Sequence, residues 1–404
     1  MSIPFGAPAK WVALATSLAL ASALPAYAQD APVVAPGAAA TPMPDGESTP
    51  GLAEQAVAGE VADDAEDAPA GRIDPTTGVV DLTIPEEMIQ QPEGGQVLTP
   101  VEWTAPEGDA GELALQSRLA ASSLLLDADY AGDNLVAVGE WGHIVMSPDG
   151  GKTWTQAERV ETNVTLTSVS FADPQNGIAV GHESVILRTK DGGKTWVKQY
   201  DEPEAEAPFF DVHYDDANNA IAVGSYGIVF ETTNGGDQWM RREMPQYDFM
   251  ALHNNELIRD GDNWFMPAEA GKVFVSRDGG KFWDIISTEY TGSFWGGMTI
   301  SDGSWLMFGL RGNIWRSEDK GVTWTNVPNP STSSLQDGIE LKDGRILLVG
   351  LEGSIQISTD GGKTFTYTVL PARTNMAKVM QLSDGTLLAF GDKGVAKLDL
   401  DSAS

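Results

Sequence analysis

An eight-residue phrase written six times constrains the fold of this chain more than any other feature. It reads Ser-Pro-Asp-Gly-Gly-Lys-Thr-Trp over residues 147–154 and returns over 189–196, 232–239, 276–283, 317–324 and 358–365. The aromatics that close it (Trp154, Trp196, Trp239, Trp283, Trp324 and Phe365) are 41 to 44 residues apart. A fixed period of that length means stacked supersecondary units, and roughly 40–50 residues suits a four-stranded propeller blade. A second phrase, Gly-x-x-Gly, precedes the first in each unit and occurs seven times, beginning at Gly139, Gly181, Gly224, Ala268, Gly309, Gly350 and Gly391. Seven turns of one kind and six of the other mean that the last unit stops early, at Leu398-Asp399-Leu400.

One unit reads as four strands. In the second, Leu166–Phe171, Gly177–Gly181, Ser184–Thr189 and Thr195–Gln199 are apolar or β-branched, and Gly, Asn, Asp and Pro fill the intervening turns. The predicted fold is therefore all-β, a seven-bladed propeller with four-stranded antiparallel blades, which leaves only short edges exposed. The Asp or Asn of each phrase (Asp149, Asp191, Asn234, Asp278, Asp319 and Asp360) precedes a Gly pair. Such a side chain accepts hydrogen bonds from the amides just downstream while the glycines take positive φ, so these residues are expected to be structural.

Composition restricts the function. There is no cysteine, hence no disulfide and no thiolate chemistry or Cys-ligated metal. The formal charge of −33 opposes binding to nucleic acid and to anionic lipid surfaces. Residues 1–28 have the form of a secretory signal peptide: Lys10, an apolar run from Trp11 to Leu24, and Ala26-Tyr27-Ala28 as the cleavage site. The mature chain is accordingly expected in the periplasm or outside the cell. Residues 29–95 are rich in Ala, Pro, Gly, Asp and Glu, contain no Phe, Trp, Tyr or His, and are expected to be a disordered acidic segment. The propeller is expected over 96–404. Because the seventh unit stops after three strands, the stretch Val101-Glu102-Trp103-Thr104 is expected to supply its fourth, with Trp103 as closing aromatic.

The phrase is the Asp-box, or BNR repeat. Together with Val-Gly-x-x-Gly-x-Ile, as in Val138-Gly139-Glu140-Trp141-Gly142-His143-Ile144, it resembles the photosystem II stability/assembly factor family over roughly residues 111–400. The resemblance implies an exported seven-bladed propeller without enzymatic activity or cofactor. It also implies a partner that is an integral membrane protein or its complex, a photosystem in that family and an RND-type transporter for similar propellers of non-photosynthetic bacteria. Asp-boxes also occur in sialidases and glucanases, which makes a glycoside hydrolase the alternative. Arg72-Ile73-Asp74-Pro75 is similar to a sialidase signature but precedes the first blade, and a single propeller lacks the paired-carboxylate cleft of the glucanases.

A binding protein needs a surface. The Gly-x-x-Gly turns and the connections between blades share the face opposite the Asp-boxes. Trp141, Tyr226, Arg241, Arg242, Arg311 and Arg373 are the expected contact residues there, since aromatics and Arg anchor interfaces. The four histidines show no metal-ligand spacing.

Overall fold

The computed structural model describes residues 98–101, 113–247 and 251–400, together with three two-residue strands at 72–73, 80–81 and 89–90. The signal-peptide and cleavage-site expectations, and almost all of the acidic segment, lie outside the described residues. Seven antiparallel sheets follow one another from Leu125 to Leu398. Blade 1 consists of Leu125–Ala131, Asn134–Gly139, Ile144–Ser147 and Thr155–Gln156. Blade 2 is Leu166–Phe171, Gly177–Gly181, Ile186–Thr189 and Thr195–Tyr200, within two residues of the sequence reading at every boundary. Blades 3 to 6 begin at Phe209, Ile258, Phe294 and Leu335 and repeat the pattern. Blade 7 has three described strands, Met376–Gln381, Leu387–Gly391 and Gly394–Leu398.

The second strand of each blade is its most buried part, because neighbouring sheets cover both of its faces. Ile346 to Val349 and Trp305 to Phe308 are fully buried runs with no polar residue. Seven cores lie between successive blades. The last of them joins Leu388 and Phe390 of blade 7 to Leu125, Leu135 and Ala137 of blade 1, so the ring closes by face-to-face packing.

The expected closing strand is found elsewhere. Leu98–Val101 pairs antiparallel with Trp239–Arg242, the fourth strand of blade 3, with Val101 opposite Trp239. Val101 is thus fixed on blade 3, and residues 102–104, Trp103 among them, lie outside the described residues. The sequence argument matched the strand to the one unit short of a strand. The outer edge of blade 3 offers unpaired backbone groups as well, and Val101 packs against the core that holds Trp239. Blade 2 also gains a fifth strand, Arg159–Val160, parallel to Thr195–Trp196. Ile89–Gln90 pairs with Gln246–Tyr247.

Candidate binding face and the axial ring

Each Gly-x-x-Gly turn is held against the strand that enters its blade. A Cβ on Gly139 would lie 1.9 Å from the carbonyl oxygen of Leu124, so only glycine fits there. The next amide, Glu140 N, donates to that same carbonyl at 3.1 Å. Ser225 N to Pro208 O at 3.0 Å and Leu351 N to Ser334 O at 2.9 Å repeat the tether. The apex that follows is left-handed but is not glycine: Trp141, Glu183, Tyr226, Ala270, Arg311 and Glu352 have φ between 52° and 59°. A side chain in that region costs about 1–2 kcal/mol relative to ordinary backbone. Six blades thus carry side chains on strained apices, all at one face.

Of the expected contact residues, Trp141 and Tyr226 are 44% and 59% exposed at apices of blades 1 and 3, and Arg311 is exposed at the apex of blade 5. Tyr226 stands edge-on to His253 at 4.9 Å, His253 meets Phe210 at 5.9 Å, and His253 Nδ1 lies 3.9 Å from Glu269 Oε2. Arg373 is exposed in the connection after blade 6, and Arg241 is exposed on the outer strand of blade 3, at the rim. Arg242 does not belong to the set. It is 7% exposed and its guanidinium grips Glu231 on the adjacent strand, with Nη2 donating to Oε2 at 2.8 Å. The added strand lies over it, Leu98 opposite Arg242. Two consecutive arginines on a strand point to opposite sides, so one of the pair turns inward.

The Asp-box turns are closed in on themselves. Asp149 Oδ1 accepts from Thr153 N at 2.9 Å, from Lys152 N at 3.1 Å and from Ser147 Oγ at 2.9 Å, and Oδ2 accepts from Thr153 Oγ1 at 2.7 Å. The same pattern surrounds Asp360, and a reduced form of it surrounds Asn234. The Thr153 amide and hydroxyl hold the Asp149 carboxyl down at about 2, and the Thr364 hydroxyl and amide do the same for Asp360. Trp154 Nε1 donates to Gly151 O at 3.1 Å, tying the closing aromatic to its turn. Both oxygens of each of these acids are thus engaged within its own turn.

The sequence reading missed a third set of residues, on the innermost strands around the axis. Asp127, Ser168, Asp211, Glu256, Gly296, Asp337 and Lys378 occupy equivalent places in successive blades. Each polar side chain reaches the backbone of the next blade. Val169 N donates to Asp127 at 2.9 Å, Leu257 N to Asp211 at 2.9 Å, Gly297 N to Glu256 at 2.8 Å and Val379 N to Asp337 at 2.7 Å. Lys378 ends the series: its Nζ lies 3.3 Å from Asp127 of blade 1 and 3.9 Å from Asp337 of blade 6. Asp337 and Asp127 hold the Lys378 ammonium well above the usual lysine range. Burial pushes the Asp211 carboxyl up to about 6, and burial together with Asp211 pushes Glu256 well above the carboxylate range. Ser168 Oγ lies 2.9 Å from both Asp127 Oδ2 and Asp211 Oδ1. A hydroxyl has one proton to give, so it donates to one carboxylate at a time unless the other is protonated, and burial favours a proton on Asp211. The signal was present in the sequence, since these residues recur at the repeat's own period, but it changes residue type from blade to blade. Among the described residues no group of three or more His, Asp or Glu side chains is arranged to hold a metal ion.

With this geometry in view, comparison with known proteins gives a consistent result. The family model described as photosynthesis system II assembly factor YCF48 matches residues 109–203 and 199–344. Among solved structures the chain is similar to YCF48 bound to D1 peptide, at 19% identity and a TM-score of 0.58, covering 74% of this chain and 98% of that one. It is similar to YCF48 from Cyanidioschyzon merolae at 21% identity and a TM-score of 0.55, covering 68% and 94%. The WD40 propeller domain of Doa1 aligns at 12% identity and a TM-score of 0.54, covering 73% and 98%. At these identities the likeness is one of fold. No curated protein matches the chain.

Proposed function

Because the chain belongs to the photosynthesis system II assembly factor YCF48 family, whose model spans more than half of it, we propose that it is a non-catalytic accessory factor that holds a segment of an integral membrane protein on its Gly-x-x-Gly face. The observation that carries this reading is the row of strained apices. Left-handed backbone favours glycine, and residues kept there against that preference cluster at functional positions. Trp141 and Tyr226 are large, exposed and in this conformation, and aromatics of that kind make interface anchors. Support also comes from the solved relative that holds a D1 peptide, an instance of peptide recognition by this fold. The axial carboxylates support a non-catalytic reading in another way, since each is committed to a backbone amide of the next blade.

The site of action in this proposal is the periplasm or another compartment outside the cytoplasm, and the partner is a membrane complex, a photosystem or an RND-type transporter according to the cell that makes the protein. Affinity capture from solubilised membranes of that cell tests it. The parent protein should enrich an integral membrane protein, and the double variant Trp141→Gly, Tyr226→Gly should lose it while melting as before. Equal enrichment by parent and variant would remove the face from consideration.

A further inference from the structure

Blade 7 departs from the other six at the rim. In blades 1 to 6 a fourth strand lies along the outer edge of the third and sends its Trp or Phe into the core shared with the preceding blade. Among the described residues no strand pairs with the outer edge of Gly394–Leu398, and the core between blades 6 and 7 contains no aromatic. The register identifies what this leaves open. Ala396 stands opposite Ala389. Its counterparts are Val145, Leu187, Phe230, Phe274, Trp315 and Gln356, each opposite the matching residue of its own second strand. All six are at most 6% exposed, whereas Ala396 is exposed. Leu387 and Ala389 beside it are 7% and 6% exposed where Ile346 and Leu348 of blade 6 are 0%. A small residue thus stands over an apolar floor that is less fully covered than in blade 6, with Leu400 packed against the same core, at the position that the closing aromatic covers elsewhere. The Gly394 end of the edge is already covered, since a Cβ there would meet the Ala121 carbonyl at 2.0 Å. The seat therefore lies towards Leu398.

We propose that this edge is a docking site for an extended segment of a partner protein, which adds to blade 7 as its fourth strand and seats an aromatic side chain over Ala396. The six complete blades define the ligand, a strand with one Trp or Phe directed inward between outward-facing neighbours, as Trp196 lies between Thr195 and Val197. Backbone pairing gives such strand addition its affinity, and the side-chain seat gives it selectivity. The acidic chain, at −33, favours a basic or neutral segment over an acidic one. The propeller's own N-terminal strand is committed to blade 3, with Val101 opposite Trp239.

The probe is a labelled synthetic peptide of residues 194–200, blade 2's own fourth strand, titrated against the full chain and followed by fluorescence anisotropy. Saturable binding is expected, at least tenfold weaker for the peptide with Trp196→Ala and for the protein with Ala396→Trp, whose own indole fills the seat. The amides of residues 395–398 that point away from the Leu387–Gly391 ladder should exchange quickly in the free chain and slowly with peptide. No saturable binding, or binding that Ala396→Trp leaves unchanged, overturns the proposal. So does slow exchange of those outward amides in the free chain, because the edge is then covered by the chain itself, or by a second copy if protection depends on protein concentration. The Trp141→Gly, Tyr226→Gly variant should bind this peptide like the parent, so failure at the rim and failure at the face are distinguishable.

Discussion

The two faces of the propeller are built from turns of the same period that use their polar groups in opposite ways. On the Asp-box face each acid is engaged by amides and hydroxyls of its own turn, two of each at Asp149 and Asp360, and the positive φ values fall mostly on glycines. On the other face the turn is tethered mainly through backbone, with single side-chain bonds that differ from blade to blade, and the positive φ falls on Trp, Glu, Tyr, Ala, Arg and Glu. The more faithfully repeated motif is the one that builds the molecule. The motif whose apex varies from blade to blade is the one with side chains to offer a partner. The axial ring belongs with the first kind, because each of its side chains is bound to the next blade.

That assignment is broken most directly at Lys378. If the ring builds the molecule, Lys378→Met leaves the Asp127 and Asp337 carboxylates without their cation near the axis, a class of change that costs about 3–5 kcal/mol in a buried pair. Lys378 is partly exposed, at 29%, so the lower end is expected. A urea midpoint equal to that of the parent would show that face packing between blades 7 and 1 closes the ring without the lysine. The Asp-box comes next. Asp360→Ala leaves the amides of Lys363 and Thr364 and the hydroxyls of Ser358 and Thr364 without their acceptor, for a cost of about 1–3 kcal/mol. Partner capture should survive in the folded fraction. Loss of capture at unchanged stability would move the binding site to the Asp-box face.

The extent to which the sequence revealed these features follows from the same distinction. Period and turn chemistry located the second blade's strands to within two residues, because Gly, Asp and aromatics at fixed offsets each have one local conformation to satisfy. Val101 was assigned to the wrong blade, since a short apolar strand carries no record of which of several open edges it joins. Arg242 was misread for a related reason: strand alternation says that one of two adjacent arginines points inward, and only the Glu231 beside it determines which. The axial ring escaped because Asp, Ser, Glu and Lys serve the same geometric purpose there, and similarity of residue type is what exposes a repeat to inspection.

The two kinds of carboxyl also differ in the sign of their pH dependence. Asp149 and Asp360 are held near 2 by the hydroxyl and amide groups around them, so their contribution is present above about 4 and is lost as pH falls through the folded value. Asp211 is raised to about 6 by burial, so it binds its proton more tightly folded than unfolded. Its contribution is fully present below about 4 and is lost as pH rises through 6. Asp211→Asn keeps an acceptor for Leu257 N and removes the titration. The stability of this variant relative to the parent should therefore rise between pH 4 and pH 6 in chemical denaturation. A flat difference across that range would mean that folding leaves the Asp211 titration where it is in the unfolded chain.

The smallest effect on stability is expected where the effect on function is largest. Trp141→Gly and Tyr226→Gly each remove an exposed side chain and place glycine at φ values of 59° and 52° that it adopts without strain. Relief of the left-handed strain and the greater freedom of glycine in the unfolded chain oppose one another, so each variant should lie within about 1 kcal/mol of the parent. Tyr226→Gly also frees one side of His253, which retains Phe210 and Glu269 as neighbours. Melting curves of the single variants test the structural half of the claim. A loss of several kcal/mol for either would mean that the side chain is held for its packing and that its strained backbone serves the fold. Stability within that margin, together with lost partner capture, would leave recognition as the reason these apices are not glycine.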